Sequence, residues 1–168
     1  MKEIFRESTA FDQMLNAWDV AQVTATNFMF YKASRFNQPV GLWDVSKVTS
    51  TYGMFSQASR YNQPLGSWDV SRVVSTGPMF YQAYAFNQMI GTWSTGQVTN
   101  MREMFKKATA FNQPLSWDTS KVTNMGPMFD EVRLPTVSPR GGAFAALLIC
   151  ALLICRRVPL TRTLMPGT

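Results

Sequence analysis

The chain has no histidine, and its two cysteines, Cys150 and Cys155, both lie near the C-terminus. Residues 1–132 therefore offer no His or Cys ligands for zinc and no disulfide framework. Without histidine there is no Ser-His-Asp or Cys-His arrangement, and no paired carboxylates or phosphate loop take its place. A non-enzymatic protein without a cofactor is expected. A long apolar run is also missing. The longest, residues 143–155, has 13 residues and ends at Arg156-Arg157, whereas a membrane-spanning helix needs about 20. No apolar stretch follows Lys2, and Glu3 and Glu7 intervene, so the N-terminus does not read as a signal peptide.

Acidic residues are absent from one end only. The formal charge is +6, yet residues 1–131 hold 11 Lys or Arg against 10 Asp or Glu, a balance of +1. Five arginines after that point supply the other +5. The nearly neutral main part lacks the basic footprint of a nucleic-acid binder.

What the chain has is a repeat. Phe11, Phe36, Tyr61, Phe86 and Phe111 stand 25 residues apart. Trp18, Trp43, Trp68 and Trp93 keep the same step, and Trp117 comes one residue early. A Met-Phe pair recurs at Met29-Phe30, Met54-Phe55, Met79-Phe80, Met104-Phe105 and Met128-Phe129, with Ile4-Phe5 one step before. A period of 20–50 residues means a solenoid, propeller or array in which each unit buries its apolar face on its neighbours. Twenty-five residues are too few for a four-stranded propeller blade. The expected fold is a leucine-rich-repeat-like solenoid of about five repeats over residues 1–132, with a partial repeat at 1–10. Since the chain begins inside a unit, it reads as a segment of a longer array.

Within a unit, the run Phe36 to Val40 reads as a short strand made irregular by Pro39, which has no N–H to donate. Trp43-Asp44-Val45-Ser46 reads as a corner capped by the aspartate. Val48-Thr49 is a second β-prone run. Met54 to Ala58 reads as one or two helical turns, since Pro78 and Pro127 sit in the slot just before the methionine, where proline suits a helix start. Each coil would contribute short parallel strands and one short helical turn. Strands spaced about 4.8 Å apart give a rod on the order of 24 Å long.

The unit Phe-Asn-Gln-Pro-Leu, Trp-Asp-Val-Ser, Val-Thr, Met-Phe resembles the 25- to 26-residue repeat of the BspA-like leucine-rich-repeat surface proteins, also found in mycoplasma-type and listerial surface lipoproteins. The resemblance covers residues 1–131. It implies a cell-surface or extracellular binding or adhesion repeat without enzymatic activity. Asp12 for Asn, Met14 and Met89 for Pro, and Ser94-Thr95-Gly96 for Asp-Val-Ser depart from the pattern.

The repeated columns read as structure. The aromatic and Met columns are core rather than a carbohydrate or peptide platform, because every coil has them. Asn37, Asn62, Asn87 and Asn112 would serve neighbouring backbone groups. Asp19, Asp44, Asp69 and Asp118 bring one carboxylate per coil, too few for calcium's 6–8 oxygens, and are expected to cap turns, with Lys47, Arg72 and Lys121 neutralising them. What varies between coils guides ligand choice. Tyr31, Ser56, Tyr81 and Lys106 share one slot, and Lys32, Gln57, Gln82 and Lys107 the next. With Arg35 and Arg60, the residues Tyr31, Lys32, Gln57, Tyr81, Gln82 and Lys107 form the expected ligand surface, for a protein or glycan partner.

Residues 133–168 break the pattern. Pro135, Pro139, Gly141 and Gly142 mark a linker over 133–142. The apolar run 143–155 has three readings: a changed reading frame, a short helix capping the last coil, or a marginal membrane anchor.

Overall fold

The computed structural model describes residues 1–132. The linker, the apolar segment and the cap or anchor expected of residues 133–168 lie outside the described residues. Residues 1–132 wind into successive coils of about 25 residues, stacked in parallel register. Coil 1 is 11–35, coil 2 is 36–60, coil 3 is 61–85, coil 4 is 86–110, and coil 5 begins at 111; residues 1–10 precede them as a half-coil. Parallel bridges mark the register at Ala25, Ser50, Ser75, Asn100 and Asn124.

The described residues contain no helix and almost no strand (4%). This overturns the expected strand-plus-helical-turn solenoid of leucine-rich-repeat type. The reason lies in the backbone around the Met-Phe pair. Its N–H groups alternate between two kinds of acceptor. Met54, Ser56 and Ala58 donate three residues back, to Thr51, Gly53 and Phe55. Phe55 and Gln57 donate to Met79 and Tyr81 of the next coil, at 3.0 and 2.7 Å. An α-helix needs every N–H to reach four residues back, so the segment is a chain of tight turns. Left-handed residues produce that alternation: Glu7, Lys32, Gln57, Gln82, Lys107 and Glu131 all have φ between 54° and 62°. Such residues do not occur in a right-handed helix.

The expected strand at Phe36–Val40 fails for a related reason. Pro39 cannot donate, and the asparagine side chain replaces a backbone acceptor. The N–H groups of Asn62, Asn87 and Asn112 each donate to the Oδ1 of the asparagine one coil earlier, at 2.9 Å, and Asn37 donates likewise to Asp12. Gln63, Gln88 and Gln113 add their amides to the same oxygens. The Asn-Gln pair thus stitches coil to coil through side chains. The second β-prone run yields only the isolated bridges and single bonds such as Thr49 N–H to Thr24 C=O.

Stacking at a 25-residue step places like on like. Phe5, Phe30, Phe55, Phe80, Phe105 and Phe129 form one ring column, with neighbouring centroids 5.4–5.8 Å apart. Phe11, Phe36, Tyr61, Phe86 and Phe111 form a second, each packed at 3.9–4.1 Å on the ring six residues before it in the first. The methionines of the Met-Phe pairs from Met29 to Met128 are fully buried. Each later tryptophan reaches back one coil: the Nε1–H groups of Trp43, Trp68, Trp93 and Trp117 donate to the carbonyls of Leu15, Val40, Leu65 and Ile90 at 2.8–3.0 Å. These four are 4% exposed, whereas Trp18, with only the half-coil before it, is 39% exposed.

One rung of this core is mismatched. Tyr61 stands where the other coils carry Phe, is wholly buried, and its hydroxyl has no hydrogen-bond partner among the described residues. Burial pushes its phenol well above the ordinary tyrosine range. A buried unsatisfied hydroxyl costs roughly 1–3 kcal/mol. Tyr61→Phe is therefore expected to stabilise the protein by about that amount. Urea denaturation should show a higher midpoint at an unchanged slope; a lower midpoint means the hydroxyl has a partner.

Candidate functional site

The turn chain that carries the left-handed residues also borders a surface groove. Large rings stand there because glycines of the following coil receive them. Phe28 lies over Gly53, where an added Cβ would fall 2.5 Å from Phe28 Cε1; Tyr52 lies over Gly77, where it would fall 2.3 Å from Tyr52 Cδ2. Gly53 also has φ +64°, so glycine answers both demands at that position. Phe28 meets Tyr52 edge to face at 5.3 Å and Tyr31 at 5.6 Å.

The result is a groove of about 320 Å³. Its walls are Phe28, Tyr31, Tyr52, Pro78 and Tyr81, its floor is Ser56 and Gln57, and Arg6 and Glu103 close its ends. It therefore runs along the stack from the half-coil to coil 4. The Arg6 guanidinium lies 5.3 Å from the Tyr31 ring centre and 5.7 Å from that of Phe28, at cation–π distance. Arg6 is also paired with Glu3 at 3.0 Å. Lys32 Nζ stands 5.1 Å from the Tyr31 ring and pairs with Glu7 of the half-coil at 3.3 Å. That hydrogen bond, with the nearby Glu7 charge, raises the Lys32 pKa. The Gln82 amide donates to the Tyr81 hydroxyl at 3.1 Å.

Of the expected ligand surface, the groove brings together Tyr31, Gln57 and Tyr81. Gln82 touches it only through Tyr81, and Lys32 through Tyr31. Arg35 and Arg60 are exposed and do not line it, and Lys107 pairs with Glu131 at 3.3 Å. Sequence reasoning missed Arg6, Phe28, Tyr52, Pro78 and Glu103. Their signal was present: Phe28 and Tyr52 are each followed, 25 residues on, by a glycine.

The aspartate column behaves as turn caps. The N–H groups of Ala21, Ser46, Ser71 and Ser120 donate to the Oδ1 atoms of Asp19, Asp44, Asp69 and Asp118 at 2.9–3.0 Å. The serine hydrogen bonds hold the Asp44, Asp69 and Asp118 carboxyls below their ordinary pKa. The positive charges of Lys47, Arg72 and Lys121 add a smaller lowering to the same three carboxyls, as expected of the stacked cations. Lys47 and Lys121 also donate to Gln22 and Gln97 of the preceding coil, at 2.8 Å each.

No curated protein and no solved structure matches the chain. A family model described as "Mycoplasma protein of unknown function, DUF285" matches it twice, over residues 1–89 and 64–134. The doubled, overlapping match follows the repeat itself, and on it the chain belongs to this family of tandem-repeat proteins of unknown function.

Proposed function

We propose that the protein is a non-enzymatic interaction module that binds a protein or glycan through the groove face of its repeat stack. The observation that supports this most is a contrast between faces. The Phe, Met and Trp columns repeat in each coil, the Asn and Asp columns are broken only at Asp12 and Ser94, and all are consumed by stacking, capping and inter-coil hydrogen bonds. The slot of Tyr31, Ser56, Tyr81 and Lys106 changes from coil to coil, and three of its members line the groove. A pocket of aromatic walls with a few convergent polar groups is the usual form of a binding site. Neutral balance over residues 1–131 argues against nucleic acid as the partner.

The repeat's likeness to BspA-like surface proteins supports a cell-surface or secreted setting for the module. Among the described residues, no helix is long and apolar enough to cross a membrane.

The test is a panel of immobilised glycans, peptides and host-surface proteins probed with the full chain. Saturable binding to at least one of them, lost in the Tyr31→Ala/Tyr81→Ala double variant, is expected. Absence of binding throughout makes the stack a spacer whose faces take no ligand.

A further inference from the structure

The inner ring column shows what a two-coil gap holds. Between Phe30 of coil 1 and Phe80 of coil 3 stands Phe55, 5.4 Å from one ring centre and 5.8 Å from the other. The next residue along the chain makes a parallel outer column. There Tyr31 and Tyr81 occupy coils 1 and 3, but coil 2 carries Ser56. The rung between the two tyrosines is missing, and the groove opens there.

Three features describe the guest that fits. The first is shape. In the neighbouring column two coil steps, 5.4 and 5.8 Å between ring centres, accept one ring. The second is the state of the ring faces. Arg6 comes to Tyr31 from the preceding half-coil, and the Lys32 ammonium is drawn to Glu7 of that same half-coil. Both cations are engaged by acids of the half-coil, Arg6 by Glu3 and Lys32 by Glu7. The third is the floor. Ser56 is 3% exposed and lines the groove, and its hydroxyl makes no hydrogen bond among the described residues. Gln57 beside it, the Tyr81 hydroxyl and the Glu103 carboxylate at one end add further polar groups to the lining. A purely apolar ring would bury the Ser56 hydroxyl unpaired, at a cost. The guest must therefore be ring-shaped, apolar on both faces and hydroxylated at its edge.

We propose that the gap between Tyr31 and Tyr81, floored by Ser56, is a glycan subsite that takes one hexopyranose unit. The sugar's C–H faces pack on the two tyrosine rings, and its rim hydroxyls meet Ser56, Gln57 and Glu103. This rests on the interaction-module reading and assigns its ligand class and contact point.

The experiment is calorimetric titration of the full chain with maltohexaose, cellohexaose, chitohexaose and mannohexaose, and separately with a short tyrosine-containing peptide. The decisive variant is Ser56→Tyr, which supplies the missing rung. The same slot already carries Tyr31, Tyr81 and Lys106, so the fold accommodates a large side chain there. Saturable binding of at least one oligosaccharide is expected, weakened at least roughly tenfold in Ser56→Tyr with the melting temperature maintained. Tyr81→Ala should weaken it similarly and serves if Ser56→Tyr does not fold. If no oligosaccharide binds, or Ser56→Tyr and Tyr81→Ala bind as the parent does, the subsite assignment is wrong. Binding of the peptide alone, blocked by Ser56→Tyr, also overturns the glycan assignment while leaving the interaction module standing. The module reading fails on different grounds, when the wider panel yields no partner at all.

Discussion

Trp68→Ala is expected to destabilise the protein by about 3–5 kcal/mol, the range for removing a large buried aromatic side chain. Trp68 is 4% exposed, stacks on Trp93 with ring centres 6.4 Å apart, and meets Phe55 of the preceding coil at 6.3 Å. Its indole N–H also donates to Val40 C=O at 3.0 Å. Truncation leaves a cavity between two coils and an unpaired carbonyl in one of them. Because coils contact only their neighbours, the damage should fall on coils 2–4 and broaden the unfolding transition. Chemical denaturation against an exposed control, Arg72→Ala, measures it. Equal midpoints for the two variants would mean that the tryptophan column faces solvent.

The second large effect concerns a glycine column with no left-handed backbone. Gly41, Gly66 and Gly91 have φ values open to other residues, yet each lies against the chain of the next coil. A Cβ on Gly41 would sit 2.5 Å from Pro64 O, and one on Gly91 would sit 2.4 Å from Pro114 O. The obstacle is backbone, which cannot swing aside as a side chain does. Gly41→Ala should therefore cost about 1–3 kcal/mol, the usual range for overpacking, and the strain lies in the spacing between coils 2 and 3. Thermal unfolding should show the loss. No change in melting temperature would indicate that the coils are farther apart at this corner than 2.5 Å implies.

Much of the architecture was legible because the period carries it. The 25-residue step gave register, columns and core from Phe11 to Trp117. The aspartate caps were legible too, because a lone Asp beside Ser two residues on satisfies a local turn. The local conformation was not. The Met-Phe segment has a proline two residues before the Phe in two coils and apolar residues in a compact cluster, which are helix signals. What decides against a helix is the left-handed conformation at Lys32, Gln57, Gln82 and Lys107. Lysine and glutamine give no warning of it, since glycine is the residue that advertises positive φ. The strand at Phe36–Val40 was misread because an Asn side chain can stand in for a backbone acceptor, which only the stacked geometry reveals. At the site, the variable slot led to Tyr31, Gln57 and Tyr81. It also drew in Lys107, which is held in an ion pair, and the separate column of Arg35 and Arg60, which is exposed and does not line the groove.

The central claim is that the chain forms coils stacked at a 25-residue interval with turns, not helix, at the Met-Phe segment. Nuclear Overhauser contacts in isotope-labelled full-length protein test both halves at once. The account expects the Trp68 indole proton close to Val40, the Trp93 indole proton close to Leu65, and the Gln57 amide proton close to Tyr81. It also expects no four-residue helical contacts from Met54 to Ala58. Helical contacts across Met54–Ala58, with the indole protons remote from the coil before, would contradict it.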